Sequence, residues 1–267
     1  YEIDYMLEVE NPQRIYIRGE RQAILRKFMN EDQAIRIQYD AKFARSANYW
    51  KNSIGMSRGI EKLNVREKKA AQENAFATWA AENTLPQERY IYALSLIEQS
   101  QKEARQENAT LQYLSEAFLQ SVELISVLFD NGNIEQFYKD YNADVDRAVA
   151  KRMFTIYREN NDRLPSIYNK IDTEFGGNSD EYVDWLYNNS QLTSYEEFMA
   201  VQQLDAEARK EAFNLEPAYE LANSIIELYR ELVPPVMAAN KKFEEGHRLY
   251  IAGLMKMNPK KAWASDA

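Results

Sequence analysis

The sequence predicts an all-α fold, a multi-helix, bundle-like domain built from long amphipathic helices. Three observations carry that prediction. Breakers are scarce: 8 Gly and 7 Pro in 267 residues leave long stretches free for helix. Apolar residues recur at spacings of three and four over much of the chain, the period of one helix face. Alternating runs of strand length and internal repeats are both missing from the text. Hydrophobic residues make up 45% of the chain, enough for a packed core rather than disorder. The length suits one large domain or two modest ones. We read 1–267 as a single helical domain, with possible subdomain joints near 131–133 and 176–177.

Taken in order, Asn11-Pro12 reads as an N-cap followed by proline at the first helical position. The first helix is expected over 12–29. Asn30, with Gln33 three residues on, reads as a capping box that opens a second helix over 32–63. On it Ile35, Tyr39, Phe43, Ala47, Trp50 and Ile54 share one face. Gly55 and Gly59 cost a helix roughly 1 kcal/mol each against alanine, so they are expected where another backbone comes close. Asn64-Val65-Arg66-Glu67 is a further capping-box pattern, opening a helix to about 82. Thr84-Leu85-Pro86-Gln87 opens the next. The segment 109–129 is strongly amphipathic, with Leu111, Leu114, Phe118, Val122, Ile125 and Leu128 or Phe129 on one stripe. Asp130-Asn131-Gly132-Asn133 ends it with turn chemistry.

Helix is expected again over 134–160, with Val145, Val149, Met153, Ile156 and Tyr157 inward. Leu164-Pro165 breaks it, and Gly176-Gly177 forces a turn after a short helix to 175. Shorter helices fill 179–187 and 194–203, the second opened by a Ser194–Glu197 capping box. The last long helix starts near Glu216-Pro217 and carries Leu221, Ile225, Leu228, Tyr229 and Leu232 on one side. Pro234-Pro235 should kink or divide it. Asn258-Pro259-Lys260-Lys261 reads as its stop. The 18 tyrosines suit half-buried positions, ring packed and hydroxyl wet.

A net charge of −9 disfavours nucleic acid, which needs a basic face, and disfavours an anionic membrane surface. No apolar run is long enough to insert in a membrane. There is no cysteine, which excludes disulfides, thiol catalysis and zinc–thiolate sites. The one histidine, His247, lies in Glu244-Glu245-Gly246-His247. That matches the Glu-x-x-His spacing of di-iron bundles, but such sites need two motifs, so the metal reading fails. Phosphate-cradling glycine loops and nucleophile elbows do not occur. No catalytic residue, metal or cofactor is therefore assigned. Asn48 and Asn52 differ in kind. Four apart on one helix, beside Tyr49, Trp50 and Lys51, their amides could form a polar binding spot. They equally suit a helix–helix hydrogen bond or a plain surface position. Trp50 could wall such a pocket or anchor the helix in the core; the core is favoured.

The run Ser46-Ala47-Asn48-Tyr49-Trp50-Lys51-Asn52-Ser53-Ile54-Gly55-Met56, followed by Gly59-Ile60-Glu61-Lys62-Leu63, resembles the bacterial dipeptidyl-peptidases 7 and 11. In that family a helical domain is inserted into a chymotrypsin-like serine peptidase. Arg36-Ile37-Gln38-Tyr39 and Lys42-Phe43-Ala44 fit the lead-in. Gly253-Leu254-Met255 looks like the family's return to the barrel, with Asp266-Ala267 just before the re-entrant strand. The resemblance implies a helical domain that covers the active-site cleft of a parent enzyme. Its partners would be peptide substrates with a free N-terminus and the barrel domain of the same chain. It also implies a homodimeric, periplasmic or secreted parent. The catalytic Ser, His and Asp lie in the barrel, so this segment alone should be inactive. An asparagine of the domain helps bind the substrate α-amino group; Asn48 is the best positional match and Asn52 the second. The alternative is a free-standing acidic helical interaction module.

Overall fold

The computed structural model describes residues 2–128 and 133–260, and among them helix is the rule and no strand occurs. The helices are α1 (Glu2–Tyr5), α2 (Asn11–Glu31), α3 (Gln33–Lys62), α4 (Val65–Asn83), α5 (Ala93–Leu114), α6 (Glu123–Ser126) and α7 (Ile134–Lys139). There follow α8 (Ala143–Asn160), α9 (Ile167–Glu174), α10 (Ser179–Asn189), α11 (Tyr195–Gln202), α12 (Ala206–Leu215) and α13 (Pro217–Met257). The fold is all-α, as the periodicity predicts. Contacts divide it into two compact units, one of residues 2–11, 55–109 and 232–260 and one of 12–54 and 110–231. Gly176-Gly177 lies within the second unit, where both residues adopt positive φ and make a turn. The suggested joint near 131–133, like Phe129 and Asp266-Ala267, falls wholly or partly outside the described residues.

The first unit centres on Phe76, Ala80, Ala93 and Leu254, with Trp79, Tyr90 and Tyr250 packed around them. Phe76 meets Tyr250 edge to face at 4.7 Å between centroids. Neighbouring elements come close here at two glycines of α13. A Cβ on Gly246 would lie 2.7 Å from the Ala93 carbonyl oxygen, and one on Gly253 would lie 2.6 Å from Cε2 of Phe76. Gly55 and Gly59, where close approach was expected, have nothing within 4 Å of such a Cβ. That expectation is therefore corrected: both sit on open surface, and the two glycines that need their missing side chains belong to the last helix.

The second unit is organised on α8. Val145, Val149, Met153, Ile156 and Tyr157 are all buried, as the spacing predicts. Phe118 packs edge to face on Phe154 at 5.0 Å and against Tyr157 at 5.1 Å. Tyr39, Tyr157, Tyr168 and Tyr182 are fully buried rather than half wet. Three of them replace water with backbone carbonyls. The Tyr157 hydroxyl donates to Arg163 O at 3.1 Å, that of Tyr168 to Phe154 O at 2.7 Å, and that of Tyr39 to Asn142 O at 3.4 Å. A phenol buried with its donor satisfied keeps the full apolar gain of its ring.

Several boundaries differ from the sequence reading. Asn11 does not cap α2; it is buried, and its Nδ2 donates to Ser57 Oγ at 3.0 Å. Asp32, not Asn30, starts α3, its Oδ1 accepting from Ala34 N at 2.7 Å. Asn64 forms no capping bond and stands in the left-handed region at φ 50°. The amphipathic segment from 109 buries its stripe but does not stay helical. A π-turn over Ser115–Leu119 interrupts it and Val122 is extended. The 134–160 segment is likewise split, because the Asn142 side chain caps α8 by accepting from Asp144 N and Val145 N. Pro234 and Pro235 do not divide α13. Both are exposed, as are Arg230 and Glu231, so carbonyls deprived of a donor there are open to water. Tyr229 is 44% exposed and leaves the stripe formed by Leu221, Ile225, Leu228 and Leu232.

Candidate functional site

Helix α3 presents Asn48 and Asn52 outward. Both are exposed, and among the described residues neither amide has a hydrogen-bond partner. The helix–helix bond considered for them is not formed. Trp50, on the opposite side of the same turn, is half-buried and fixes α3 on α2. Its Nε1–H donates to the Ile15 carbonyl at 3.0 Å, and Gly19 leaves room for the indole. Trp50 thus holds the segment that carries the two amides rather than standing beside them. Tyr49 is 55% exposed, with the Arg18 guanidinium 5.0 Å from its ring centroid.

One helical step round from the asparagines, at Arg45, Tyr49, Lys42 and Ser46, α3 borders a groove of about 980 Å³. Its other walls come from Arg18 and Arg21 of α2 and from residues of 115–126 and 133–140. The walls are charged. Glu116 accepts from Arg14 Nε at 3.1 Å and from Arg18 Nε at 2.8 Å. Glu123 pairs with Lys42, whose ammonium also reaches the Asp140 carbonyl. Arg21 is 7% exposed, and its nearest carboxylate oxygen is Glu123 Oε1 at 3.6 Å.

Behind the groove stands Asp146, fully buried on α8. It accepts from Glu123 N at 2.7 Å, Leu124 N at 2.8 Å and the Tyr187 hydroxyl at 2.7 Å. These bonds start α6 and set Glu123 in the groove wall. Burial, then the nearby Glu123 carboxylate, push the Asp146 carboxyl up to about 7. Sequence reasoning gave this residue no role. The signal was present: Asp146, Val149, Ala150 and Met153 share the inward spacing, so an acid stood on an apolar stripe.

His247 is exposed and stacks on Phe243 at 5.6 Å between ring centroids. No group of three His, Cys, Asp or Glu that could hold a metal occurs among the described residues. No described helix is long and apolar enough to cross a membrane.

Residues 1–131 and 130–267 match the peptidase S46 family. The chain is 37% identical to dipeptidyl-peptidase 7 of Porphyromonas gingivalis over 283 residues, covering 99% of this chain and 40% of that protein. It is 25% identical to the Asp/Glu-specific dipeptidyl-peptidase of Flavobacterium psychrophilum, covering 96% of this chain and 39% of that one. The crystal structure of Porphyromonas endodontalis DPP11 in complex with the dipeptide Arg-Glu superposes with a TM-score of 0.82 at 23% identity, over 97% of this chain and 40% of that one. The chain thus spans about two fifths of the length of these relatives.

Proposed function

The chain belongs to the peptidase S46 family, and from that premise we propose that it is the helical domain covering the active-site cleft of a serine dipeptidyl-peptidase. Its α3 helix receives the free α-amino group of the peptide, so that dipeptides leave from the N-terminal end. The observation that carries this reading is the pair of exposed, unpartnered amides, Asn48 and Asn52, on a helix pinned by Trp50. An amide oxygen accepts from an ammonium without bringing a charge that needs its own partner. The Ser-His-Asp machinery belongs to a barrel domain of the parent, and the parent is a periplasmic or secreted homodimer. The peptide's N-terminus and that barrel are the partners of this domain.

The test is dipeptide release by the full-length parent. A hydrogen bond to a charged group contributes about 1.5–3 kcal/mol, so Asn48→Ala is expected to lower kcat/KM roughly tenfold or more. Circular dichroism should be unchanged, and substrates with an acylated amino terminus should be poor for wild type and variant alike. Unaltered turnover in both Asn48→Ala and Asn52→Ala would remove the amine contact from α3. No dipeptide release by a folded parent would favour an acidic helical interaction module.

A further inference from the structure

We propose that the groove between α2 and α3 is a carboxylate-binding site anchored by Arg21 and Arg45. Asn48 and Asn52 do not line this groove. Among the lining side chains, Glu116 is taken up by Arg14 and Arg18, and Glu123 by Lys42. The third lining carboxylate, Asp140, accepts from the Gln136 amide at 2.8 Å. Two cations are left incompletely satisfied. Arg21 is nine-tenths buried, yet its Nε has no acceptor and its one ionic neighbour stands at 3.6 Å. Arg45 is exposed on the groove wall and forms no ion pair among the described residues. In a chain of net charge −9 this is a local excess of positive charge inside a concavity.

A buried guanidinium nitrogen without an acceptor is costly, and groups in that state mark places where a ligand completes the shell. The planar fork of arginine matches a carboxylate. A single negative charge suits the wall best, because Glu116, Glu123 and Asp140 would repel a dianion such as phosphate. The volume, about 980 Å³, lies at the upper end of the ~300–1,000 Å³ of small-molecule sites and admits a short peptide. Ser46, Ser121 and Gln120 line the groove as further polar groups.

The test uses the 267-residue chain and calorimetric titration at low ionic strength. The probes are N-acetylglycine and its amide, and trialanine and its C-terminal amide. Both acids should bind, and both amides should bind at least about tenfold more weakly, the loss of a charge-assisted hydrogen bond. Inorganic phosphate should bind no better than N-acetylglycine. Arg45→Gln, a surface change that leaves folding untouched, should weaken the acids about tenfold, and Arg21→Gln at least as much. If N-acetylglycine matches trialanine, the ligand is a small free carboxylate; if trialanine is far tighter, it is a peptide terminus. Equal binding of acids and amides, or affinities unchanged in Arg45→Gln, would overturn the proposal.

Discussion

Asp146→Ala is expected to destabilise the chain by about 3–5 kcal/mol, the largest effect of any single substitution outside the aromatic core. The change strips acceptors from two backbone amides, Glu123 N and Leu124 N, and from the Tyr187 hydroxyl, all at a fully buried position. Asp146→Asn keeps one oxygen and should cost less. It also isolates a pH effect. The carboxyl stands near its ordinary 3.8 when the chain is unfolded and at about 7 in the fold. Between those values the folded chain holds a proton that the unfolded chain has lost. Stability from this group is therefore full below about 4, falls as the pH rises, and levels off above about 7. Urea unfolding of wild type and Asp146→Asn at pH 5 and pH 7 reads it directly. The margin of wild type over the variant should shrink at the higher pH, by at most about 1.4 kcal/mol per unit. A margin independent of pH would mean that the carboxylate stays ionised in the fold, held by its three donors.

The second large effect is a reversal of sign between glycines in helices. Alanine normally gains about 1 kcal/mol over glycine in a helix interior. Gly55→Ala and Gly59→Ala should realise most of that, since nothing lies within 4 Å of the added methyl. Gly246→Ala meets the Ala93 carbonyl at 2.7 Å and Leu96 Cβ at 2.9 Å, and Gly253→Ala meets the Phe76 ring at 2.6 Å. A backbone oxygen cannot swing aside, so Gly246→Ala should lose about 1–3 kcal/mol despite its better propensity. Gly246→Leu should prevent the 232–260 part of α13 from docking. Thermal melts of the four alanine variants decide the matter: a rise for Gly246→Ala would show that the helices separate without cost.

Those glycines show where the sequence could be read and where it could not. Spacing identified the buried faces of α8 and most of that of α13, because periodic burial is a local property of a helix. It also placed Asn48 and Asn52 together on one side of the helix, leaving open whether that side met water or another helix. It could not say that the helix beginning at Ala93 stops at Leu114, because the apolar stripe runs on without a break. The restart at Glu123 depends on a carboxylate 22 and 23 residues downstream of the amides it accepts from. Likewise, any pair of glycines four apart looks like a groove for a neighbour; only packing shows that Gly55 and Gly59 have none. The charged groove was illegible for the same reason. Its walls are α2, α3 and residues of 115–126 and 133–140, remote in sequence, and its unusual feature is a buried arginine nitrogen without an acceptor, which no spacing encodes.

The buried phenols give the molecule a reporter of its own unfolding. Burial pushes Tyr39, Tyr168, Tyr182 and Tyr187 well above the usual phenol range, so none of them ionises while the fold is intact. In the open chain each releases its proton near the ordinary 10. Above that pH each proton released on opening pulls the equilibrium further toward the open chain. Tyrosinate absorbance in alkali should accordingly rise in two stages. A fast one precedes any opening, and a slow, cooperative one follows the rate of opening of the helices around α8. A simple ultraviolet record after a pH jump then measures kinetic stability without label or denaturant.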